Sequence, residues 1–545
     1  MSDLEFTSRR SPVYSRRGLV AASQPLAVAA GLEILAREGN AADAAVATAA
    51  ALNVTEPGAT GLGGDCFVLY YDSASGQISA LNGSGRAPAA LSLERLQLEG
   101  YGDELPQYHP YTITVPGACA GWCDLLERHG RLSMSAVLAP AIRLAEEGFP
   151  VAPVTAYFWG RGVEKQLGSA FGGRALTIDG RAPRAGEIFH NPNLGHSLQA
   201  IAEGGKEAFY QGPIAEAIAA TVQEAGGCLS LADLAAHRST WEIPIHINYR
   251  GLNIWECPPN GQGLAALLAL KVLEGFDLAQ FGPLSVERLH LEIEAMRLAF
   301  ADTRYYVADP AFNPAPLEAL LSEEYVAGRR ALIDPSRATL DQKYGTPLAS
   351  SDTVYFNVVD GDGNACSFIN SNYTGFGTGI VPAGCGFSLQ NRGHGFSLDP
   401  DPPNALAPGK RPYHTIIPAL ATRPRPGSEG EELYACFGVM GGFMQPQGHT
   451  QVVIALVDDG QDPQAALDRP RFCIADGASG GRVSLEQGIP VEVMSALADL
   501  GHPTVPTSGF SRAIFGRGQI ILRDAESGVL CGGSDPRADG CVMSY

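Results

Sequence analysis

The segment from Ser351 to Asn372 reads SDTVYFNVVDGDGNACSFINSN. Two β-rich runs, VYFNVVD and ACSFINSN, flank the turn residues GDGN, so residues 354–372 are predicted to form a β-hairpin. The preceding residues, 334–352, are polar, turn-rich and aperiodic, which indicates an exposed linker. Thr353 is therefore predicted to stand where a linker meets the first residue of a strand.

A threonine at the head of a strand has a specific chemical use. Its hydroxyl is a weak nucleophile that needs a base, and the residue's own α-amino group is one solution. That amine is free only if Thr353 becomes an N-terminus, and the strand would then hold hydroxyl and amine rigidly together. Threonines after loops are common, so the pattern alone does not establish this chemistry.

Length and charge narrow the class of protein. The 545 residues amount to three or four domains at about 150 residues each, which is enough chain to bury a large core. Acidic residues outnumber basic ones by 58 to 38, a formal net charge of −20. No basic stripe is present to meet nucleic-acid phosphates, and an anionic membrane surface would repel the chain.

Targeting and metal signals are weak. The first 20 residues contain no apolar run of the length that a secretory signal needs, and no stretch approaches the ~18 apolar residues of a membrane span. The 11 cysteines are scattered; Cys119 and Cys123 form the closest pair, with no second pair at zinc-ligand spacing. We therefore expect reduced thiols, a cytoplasmic location, no metal and no cofactor.

The rest of the chain divides into a helical part and a β-rich part. Residues 25–52 predict two helices broken at Gly39-Asn40, and CFVLYYD and QISALN predict a hairpin after the glycine loop at 61–64. Residues 116–330 are mostly helical in pattern, with a strand pair near 241–259. After the linker the pattern is β-rich, and a helix at 489–500 is the main exception.

Several generic motifs are missing. The loop Gly61-Leu62-Gly63-Gly64 is not GxGxxG, and neither a P-loop nor a GxSxG elbow exists. His290 and Glu294 are four apart on a predicted helix, but without a second histidine nearby a surface pair is expected. Nucleotide binding, metal chemistry and a serine triad therefore have no support.

In nine segments the chain resembles the γ-glutamyltransferase family of N-terminal nucleophile hydrolases, and together they span nearly its whole length. In chain order these are GNAADAAVA (39–47), NVTEPGATGLGGD (53–65), TVPGACAGW (114–122), PAIRLAEEGF (140–149), TVYFNVVDGDGNA (353–365), GFGTGIV (375–381), GKRP (409–412), MGG (440–442) and SDPRADG (534–540). Each segment is modest, but nine in the same order are specific.

The resemblance implies an α+β fold, a four-layer αββα sandwich made as one precursor that cuts itself. The cut would fall between Asp352 and Thr353. It would leave a mostly helical large subunit, 1–352, that contributes β-hairpin strands, and a β-rich small subunit, 353–545. The two would stay together as a heterodimer in one intertwined unit, and further dimerisation is left open.

The resemblance also implies catalytic roles. Thr353 matches the family nucleophile, and Ser371 matches a second hydroxyl that assists it. Gly441 and Gly442 match the glycine pair whose N–H groups form the oxyanion hole.

The substrate-binding positions depart from the family. The arginine that grips the substrate carboxylate in typical members falls at Ser84, and Arg86 lies two residues later on the same face of a strand, where it remains a candidate clamp. Gly395 stands where the family has an acidic residue for the substrate amino group, and Arg392 stands where a neutral amide is common. The surplus arginine favours an acidic or oxo-acid acyl group over an α-amino acid.

Three more residues are expected near the substrate. His414 and Thr415 replace the two serines that often follow KRP, and Tyr373 is placed there by its proximity to Ser371.

Three functions are left open. The first is an autoprocessing threonine amidohydrolase or acyltransferase for γ-glutamyl amides, with a small-molecule amide as substrate and water, an amino acid or a peptide as acceptor. The second keeps the machinery but acts on another acyl group, as the family's cephalosporin or glutaryl acylases and oxamate amidohydrolase do. The third is an unprocessed relative that only binds a ligand.

Overall fold

Two stacked β-sheets form the centre of the computed structural model, which describes residues 10–102, 104–340, 354–425, 427 and 430–545. Their strands are β1 (Val13–Ser15), β2 (Leu19–Ala22), β3 (Asp65–Asp72), β4 (Gln77–Gly83), β5 (Phe149–Pro150), β6 (Ile188–Phe189), β7 (Thr240–Glu242), β8 (Ile245–Tyr249), β9 (Leu252–Glu256), β10 (Val354–Val359), β11 (Ala365–Ser371), β12 (Ala419–Pro424), β13 (Glu431–Met440), β14 (Phe472–Ile474), β15 (Val483–Glu486), β16 (Thr504–Thr507), β17 (Arg517–Arg523), β18 (Leu530–Ser534) and β19 (Cys541–Ser544), of which β5, β6 and β14–β16 form small accessory sheets.

Helices connect and flank these strands. They are α1 (Pro25–Ala36), α2 (Ala41–Thr55), α3 (Leu93–Leu98), α4 (Ala118–His129), α5 (Met134–Glu147), α6 (Pro153–Gly162), α7 (Pro192–Tyr210), α8 (Pro213–Glu224), α9 (Leu231–Ala236), α10 (Gly263–Glu274), α11 (Val286–Tyr306), α12 (Leu317–Leu320), α13 (Glu323–Arg330), α14 (Met444–Val457), α15 (Pro463–Asp468) and α16 (Val491–Asp499).

Both sheets mix strands from the two sides of the linker. Sheet I has the order β19-β2-β10-β11-β3-β4-β7, and sheet II has the order β1-β18-β17-β13-β12-β9-β8. Helices α2 and α4 pack on sheet I, α10 and α14 pack on sheet II, and β10 and β11 pack against strands of sheet II. The expected four-layer αββα sandwich is confirmed. The helical and β-rich parts of the sequence therefore share one intertwined unit.

The hairpin predicted from the linker boundary lies at the centre of sheet I. Val354 pairs with Asn370 and Val359 pairs with Ala365, while β2 and β3 flank the hairpin on its two sides. Both strands are buried along their whole length. A strand that is covered on both faces reads as a continuous apolar run, which explains the sequence VYFNVV.

The two helices predicted at 25–52 are confirmed as α1 and α2. Asn40 caps α2 by accepting hydrogen bonds from the N–H groups of Ala42 and Asp43, and the Asp43 carboxylate accepts the N–H of Asn40 in return. The alanine side chains of α2 are all buried, which lets this helix lie close against β10 and β11.

The prediction that residues 489–500 are the main helix of the second part is incomplete. Helix α16 confirms it, but α14 and α15 are also helical. Helix α14 is buried on every side except at its C-terminal end, so it lacks the amphipathic period that would have revealed it. Pro446 lies in its first turn, where a proline is tolerated.

The strand pair predicted near 241–259 is confirmed as β8 and β9, with β7 joining the other sheet. None of the described helices combines the length and the apolar character that crossing a bilayer would require.

Candidate active site

The predicted catalytic residues gather at one edge of the sandwich, where several strands begin or end. Strand β11 ends at Ser371, which pairs with Asp65 at the start of β3. Strand β13 ends at Met440, directly before the glycine pair, and β10 begins at the same edge because Val354 pairs with Asn370. Thr353 and Asp352, the predicted nucleophile and cleavage residue, lie outside the described residues.

Arg392 connects three of the predicted site residues. Its Nη1 donates to Oγ1 of Thr415 at 2.7 Å, and its Nη2 donates to Oγ of Ser371 at 3.3 Å. Its guanidinium carbon lies 4.1 Å from the centre of the Tyr373 ring, in cation–π geometry. We call Ser371, Tyr373, Arg392 and Thr415 the arginine cluster; each is at most 2% exposed.

Hydrogen bonds orient the Ser371 hydroxyl. Its oxygen accepts the N–H of Tyr373 at 2.9 Å as well as the Arg392 bond. Because both described partners are donors, the hydroxyl hydrogen is directed to a further acceptor. Tyr373 has a φ of +80°, a left-handed conformation that costs a non-glycine residue about 1–2 kcal/mol. This strained backbone presents its N–H to Ser371 and its ring to Arg392.

Asp65 stands behind the arginine cluster as a buried acceptor. Its Oδ1 accepts from Nε2 of Gln390 at 2.9 Å and from the N–H groups of Gly85 at 2.9 Å and Gly117 at 3.2 Å. Burial raises its pKa to about 6, although the Arg392 charge and these bonds act in the opposite direction. Asp65 is therefore ionised at neutral pH. Burial likewise lowers the pKa of Arg392 to about 10, so the guanidinium keeps its charge.

His414, predicted to contact substrate, is completely buried and bonds instead to Asp65. Its Nε2 lies 3.0 Å from Oδ2 of Asp65, and its Nδ1 accepts the N–H of Ile416 at 3.4 Å. Burial lowers the pKa of His414 well below its usual range, so the ring is neutral and donates its Nε2–H to the carboxylate. In this geometry His414 supports Asp65, and its contact with substrate stays a prediction.

The glycine pair occupies the turn between β13 and α14. Gly441 has a φ of +128° and Gly442 a φ of +61°, conformations that favour glycine. Among the described residues, no acceptor receives the N–H of either glycine. Nε2 of Gln262 donates to the carbonyls of both Gly442 at 2.8 Å and Thr415 at 2.6 Å, and so joins the turn to the arginine cluster.

Arg86 is not brought into this group of residues. Its side chain is half-exposed, and its Nη1 donates to the carbonyl of Arg238 at 3.3 Å. Ser84, which stands at the family's arginine position, is fully buried and donates to Oδ1 of Asn82 at 2.6 Å. The role of Arg86 as a carboxylate clamp stays a prediction that this geometry does not support.

Sequence reasoning missed Asp65, Gln262 and Gln390. Asp65 closes the motif NVTEPGATGLGGD and Gln390 opens QNRGHGF, so both lay inside segments already singled out. Gln262 carried no signal, since an isolated glutamine between glycines has no distinguishing pattern.

A cavity of about 610 Å³ adjoins the glycine pair. Gly441 and Thr374 line it, and its walls include the rings of Phe158, Phe443 and Phe510. We call this space the aromatic cavity. The four members of the arginine cluster do not line it.

A separate histidine cluster corrects one expectation. His290 and Glu294 are buried rather than a surface pair, and His502 joins them. Nδ1 of His290 lies 2.8 Å from Nε2 of His502, and Nε2 of His290 lies 2.8 Å from the carbonyl oxygen of Asp334. The cluster therefore links α11 to the start of the linker.

Comparisons with known proteins agree with this fold. The γ-glutamyltranspeptidase family pattern matches residues 27–545. The glutathione hydrolase-like YwrD proenzyme of Bacillus subtilis is 36% identical over 533 residues, covering 97% of this chain and 99% of that protein. The oxamate amidohydrolase proenzyme of Klebsiella pneumoniae is 33% identical over 539 residues, with coverage of 97% and 99%.

A solved structure gives the same answer. The cephalosporin acylase from Bacillus halodurans superimposes with a TM-score of 0.92 at 45% identity, covering 100% of this chain and 99% of that one. The fold and site thus define an N-terminal nucleophile hydrolase, an amide-cleaving enzyme of the hydrolase/transferase type. Within that class, the chain belongs to the γ-glutamyltranspeptidase family.

Proposed function

We propose that the chain cuts itself between Asp352 and Thr353, and that Thr353 then hydrolyses amides of small acidic acyl groups, the γ-glutamyl group included. The register of the central hairpin carries this proposal. Val354, the first residue of β10, is paired with Asn370; in the sequence Thr353 precedes Val354 and Ser371 follows Asn370. A nucleophile at position 353 would therefore meet the oriented hydroxyl of Ser371.

Both reactions use the same hydroxyl. In the precursor the Thr353 hydroxyl attacks the Asp352 carbonyl carbon, the C–N bond to Thr353 breaks as the ester C–O bond forms, and water then hydrolyses this ester. The products are chains of 352 and 193 residues, and the second begins with the free amine of Thr353. The Thr353 amine then takes the proton of the Thr353 hydroxyl as the hydroxyl oxygen attacks the carbonyl carbon of a substrate amide. The same amine passes this proton to the nitrogen of the departing substrate amine. Water, or an acceptor amine, releases the acyl group.

The glycine pair supplies the electrostatic part of this mechanism. A tetrahedral intermediate places negative charge on the former carbonyl oxygen, and N–H groups aimed at that oxygen lower the barrier by a few kcal/mol. The N–H groups of Gly441 and Gly442 suit this role because no described residue accepts them. They also precede α14, whose N-terminal end favours negative charge.

Arg392 suits the recognition of an acidic acyl group. It is charged at neutral pH, and its Nε–H is buried with no hydrogen-bond partner among the described residues. A substrate carboxylate would satisfy this donor and would gain the strength of a charge-assisted bond. We therefore assign the binding of the acyl group's carboxylate to Arg392 and not to Arg86.

An acyl group without an α-amino group is the second candidate. Gly395 offers no side chain where an acidic residue would hold an amino group, which favours glutaryl-like or oxamate-like substrates. The relatives named above, a glutathione hydrolase-like proenzyme and an oxamate amidohydrolase proenzyme, represent both kinds of acyl group.

An acyl panel on one shared amine tests the proposal. The processed enzyme would be given γ-glutamyl, glutaryl, succinyl, oxamyl and butyryl amides, with Thr353→Ala as the inactive control and Thr353→Ser as the matched control that keeps a hydroxyl. Brisk turnover of γ-glutamyl-p-nitroanilide supports the first candidate, and a preference for glutaryl or oxamyl amides supports the second. A preference for the butyryl amide would contradict the role of Arg392, and no turnover at all would contradict the proposed function.

A further inference from the structure

The aromatic cavity begins where the scissile carbonyl would sit. Gly441 lines the cavity and is also half of the glycine pair that would bind the carbonyl oxygen. The arginine cluster, which would bind the acyl group, lies outside the cavity. The two substituents of an amide carbonyl point in different directions, so the cavity is available to the substituent on nitrogen.

Size and wall chemistry indicate what this space accepts. A volume of about 610 Å³ is within the range of ~300–1,000 Å³ that holds ligands of drug size, far more than ammonia or methylamine needs. Phe510 is 58% exposed and stacks on Tyr157 with ring centres 4.2 Å apart. Phe158 and Phe443 add further aromatic wall. Such walls favour a flat apolar body.

The charges of the lining favour an anion. Arg161 lies in the last turn of α6 and Lys165 four residues later in the helical turn that follows it, and both side chains are exposed. Neither has an ion pair or a side-chain hydrogen bond among the described residues, and both line the cavity. Arg517, a third cation of the lining, is paired with Glu56 at 3.1 Å. Asp476 is an exposed carboxylate of the lining, so cations exceed carboxylates by three to two.

We infer that the aromatic cavity binds the amine half of the substrate and selects bulky amines that carry an aromatic or other flat apolar body and an anionic group. The inference rests on the proposed function, because it assigns the leaving group of that reaction. The amide C–N bond breaks as the Thr353 ester forms, and the departing nitrogen takes the proton that the Thr353 amine had accepted. Arg161 and Lys165 would meet the anionic group, while the aromatic rings would contact the body.

Four amides of one acyl group test this inference. The acyl group is the one that gives the fastest turnover in the panel above, and the amines are methylamine, benzylamine, 4-carboxybenzylamine and 4-(aminomethyl)benzylamine. All four leaving groups are alkylamines, which limits differences in chemical reactivity. We expect kcat/KM to rise about tenfold from methylamide to benzylamide and a further fivefold to the 4-carboxybenzylamide, with the cationic amide below the neutral benzylamide.

Three variants locate the effect. Arg161→Glu and Lys165→Glu should each lower the ratio of 4-carboxybenzylamide to benzylamide turnover about fivefold. Arg184→Glu is the charge-matched control, since Arg184 is exposed and outside the cavity lining, and it should leave this ratio unchanged. Phe510→Ala should lower the ratio of benzylamide to methylamide turnover.

Failure of the inference and failure of the proposed function give different results. Equal kcat/KM for all four amides, with methylamide turned over, would overturn the assignment of the cavity and leave the proposed function intact. An Arg184→Glu effect equal to that of Arg161→Glu would also overturn it. No turnover of any amide by fully cut enzyme would overturn the proposed function itself.

Discussion

The arginine cluster and the aromatic cavity lie beside the same glycine pair but differ in almost every physical property. The cluster is shielded from solvent, and Arg392 bonds to Ser371 and Thr415. The buried Asp65 carboxylate, which His414 contacts, supplies a counter-charge to Arg392. The cavity is open, with exposed cations and stacked aromatic rings. Charges are weakly screened in the first and strongly screened in the second. We therefore expect strict selection of the acyl group and graded selection of the amine.

Arg392→Gln tests the arginine cluster and should have the largest effect on the selection of the acyl group. Removing one partner of a buried, charge-assisted contact costs about 2–5 kcal/mol, so kcat/KM for the best acidic amide should fall at least 30-fold. Steady-state kinetics on the acidic amide and on the matched butyryl amide measures the effect. The butyryl rate should change far less, and an equal loss for both amides would mean that Arg392 only maintains the fold.

Gly441→Ala tests the turn that both regions share. A Cβ at this position would approach Cα of Gly516 to 3.1 Å and Cβ of Met444 to 3.3 Å, in a backbone conformation that L-residues rarely adopt. The displaced N–H should lower kcat about 10- to 100-fold with little change in KM, because it acts on the transition state.

The control for that variant is Gly384→Ala. Gly384 also has a positive φ, +74°, but a Cβ there would meet nothing within 4 Å. It should lose stability from strain alone and keep its kcat. Equal losses of kcat in the two variants would contradict the oxyanion role.

Protonation of Asp65 should weaken the arginine cluster and so lower kcat/KM at acid pH. Its pKa of about 6 means that it is ionised above pH ~6 and neutral below, where the His414 and Gln390 bonds weaken and Arg392 loses its counter-charge. We expect kcat/KM to fall with an apparent pKa near 6 on the acid side. The Thr353 amine must be unprotonated to act as the base and gives a loss of its own at higher pH, so Asp65→Asn should remove only the further loss near pH 6. An unchanged loss near pH 6 in this variant would assign it to another group.

Titration of Asp65 should change the free energy of unfolding in the direction opposite to its effect on kcat/KM. Because its folded pKa is raised above the unfolded value of 3.8, the native state holds the proton longer. The contribution of Asp65 to the free energy of unfolding is therefore full below pH ~4 and is lost as pH rises through about 6. Urea unfolding of wild type and Asp65→Asn across this range should show a smaller pH dependence in the variant.

Arg86→Ala should have the smallest effect. The side chain is half-exposed and bonds to the Arg238 carbonyl, so we expect kcat/KM to change less than about twofold. A loss comparable to that of Arg392→Gln would restore Arg86 as the carboxylate clamp and break the comparison drawn above.

The sequence predicted the parts of the site that depend on local pattern or on motif order. The hairpin at 354–372 followed from β-rich runs around GDGN, and α2 followed from a capping residue and an alanine-rich run. The glycine pair was found by motif, and the structure places it, with the positive φ values of a tight turn, beside the cluster.

Polar contacts between residues far apart in the chain could not be predicted from the sequence. His414 and Asp65 are 349 positions apart, and His290 and His502 are 212 apart. Nothing in either neighbourhood specifies the partner, because such contacts depend on how the layers stack. For Arg86, strand periodicity predicted a place on the same face as Ser84; the structure shows its side chain bonded to the Arg238 carbonyl, and its role as a carboxylate clamp stays a prediction.

The mass of the purified protein shows whether the chain is cut before Thr353. We predict two chains of 352 and 193 residues that remain associated, with Thr353 as the new N-terminus, and a single uncut chain for Thr353→Ala. A wild-type protein that turns over amides while remaining one uncut chain, or that is cut at another bond, would contradict the account.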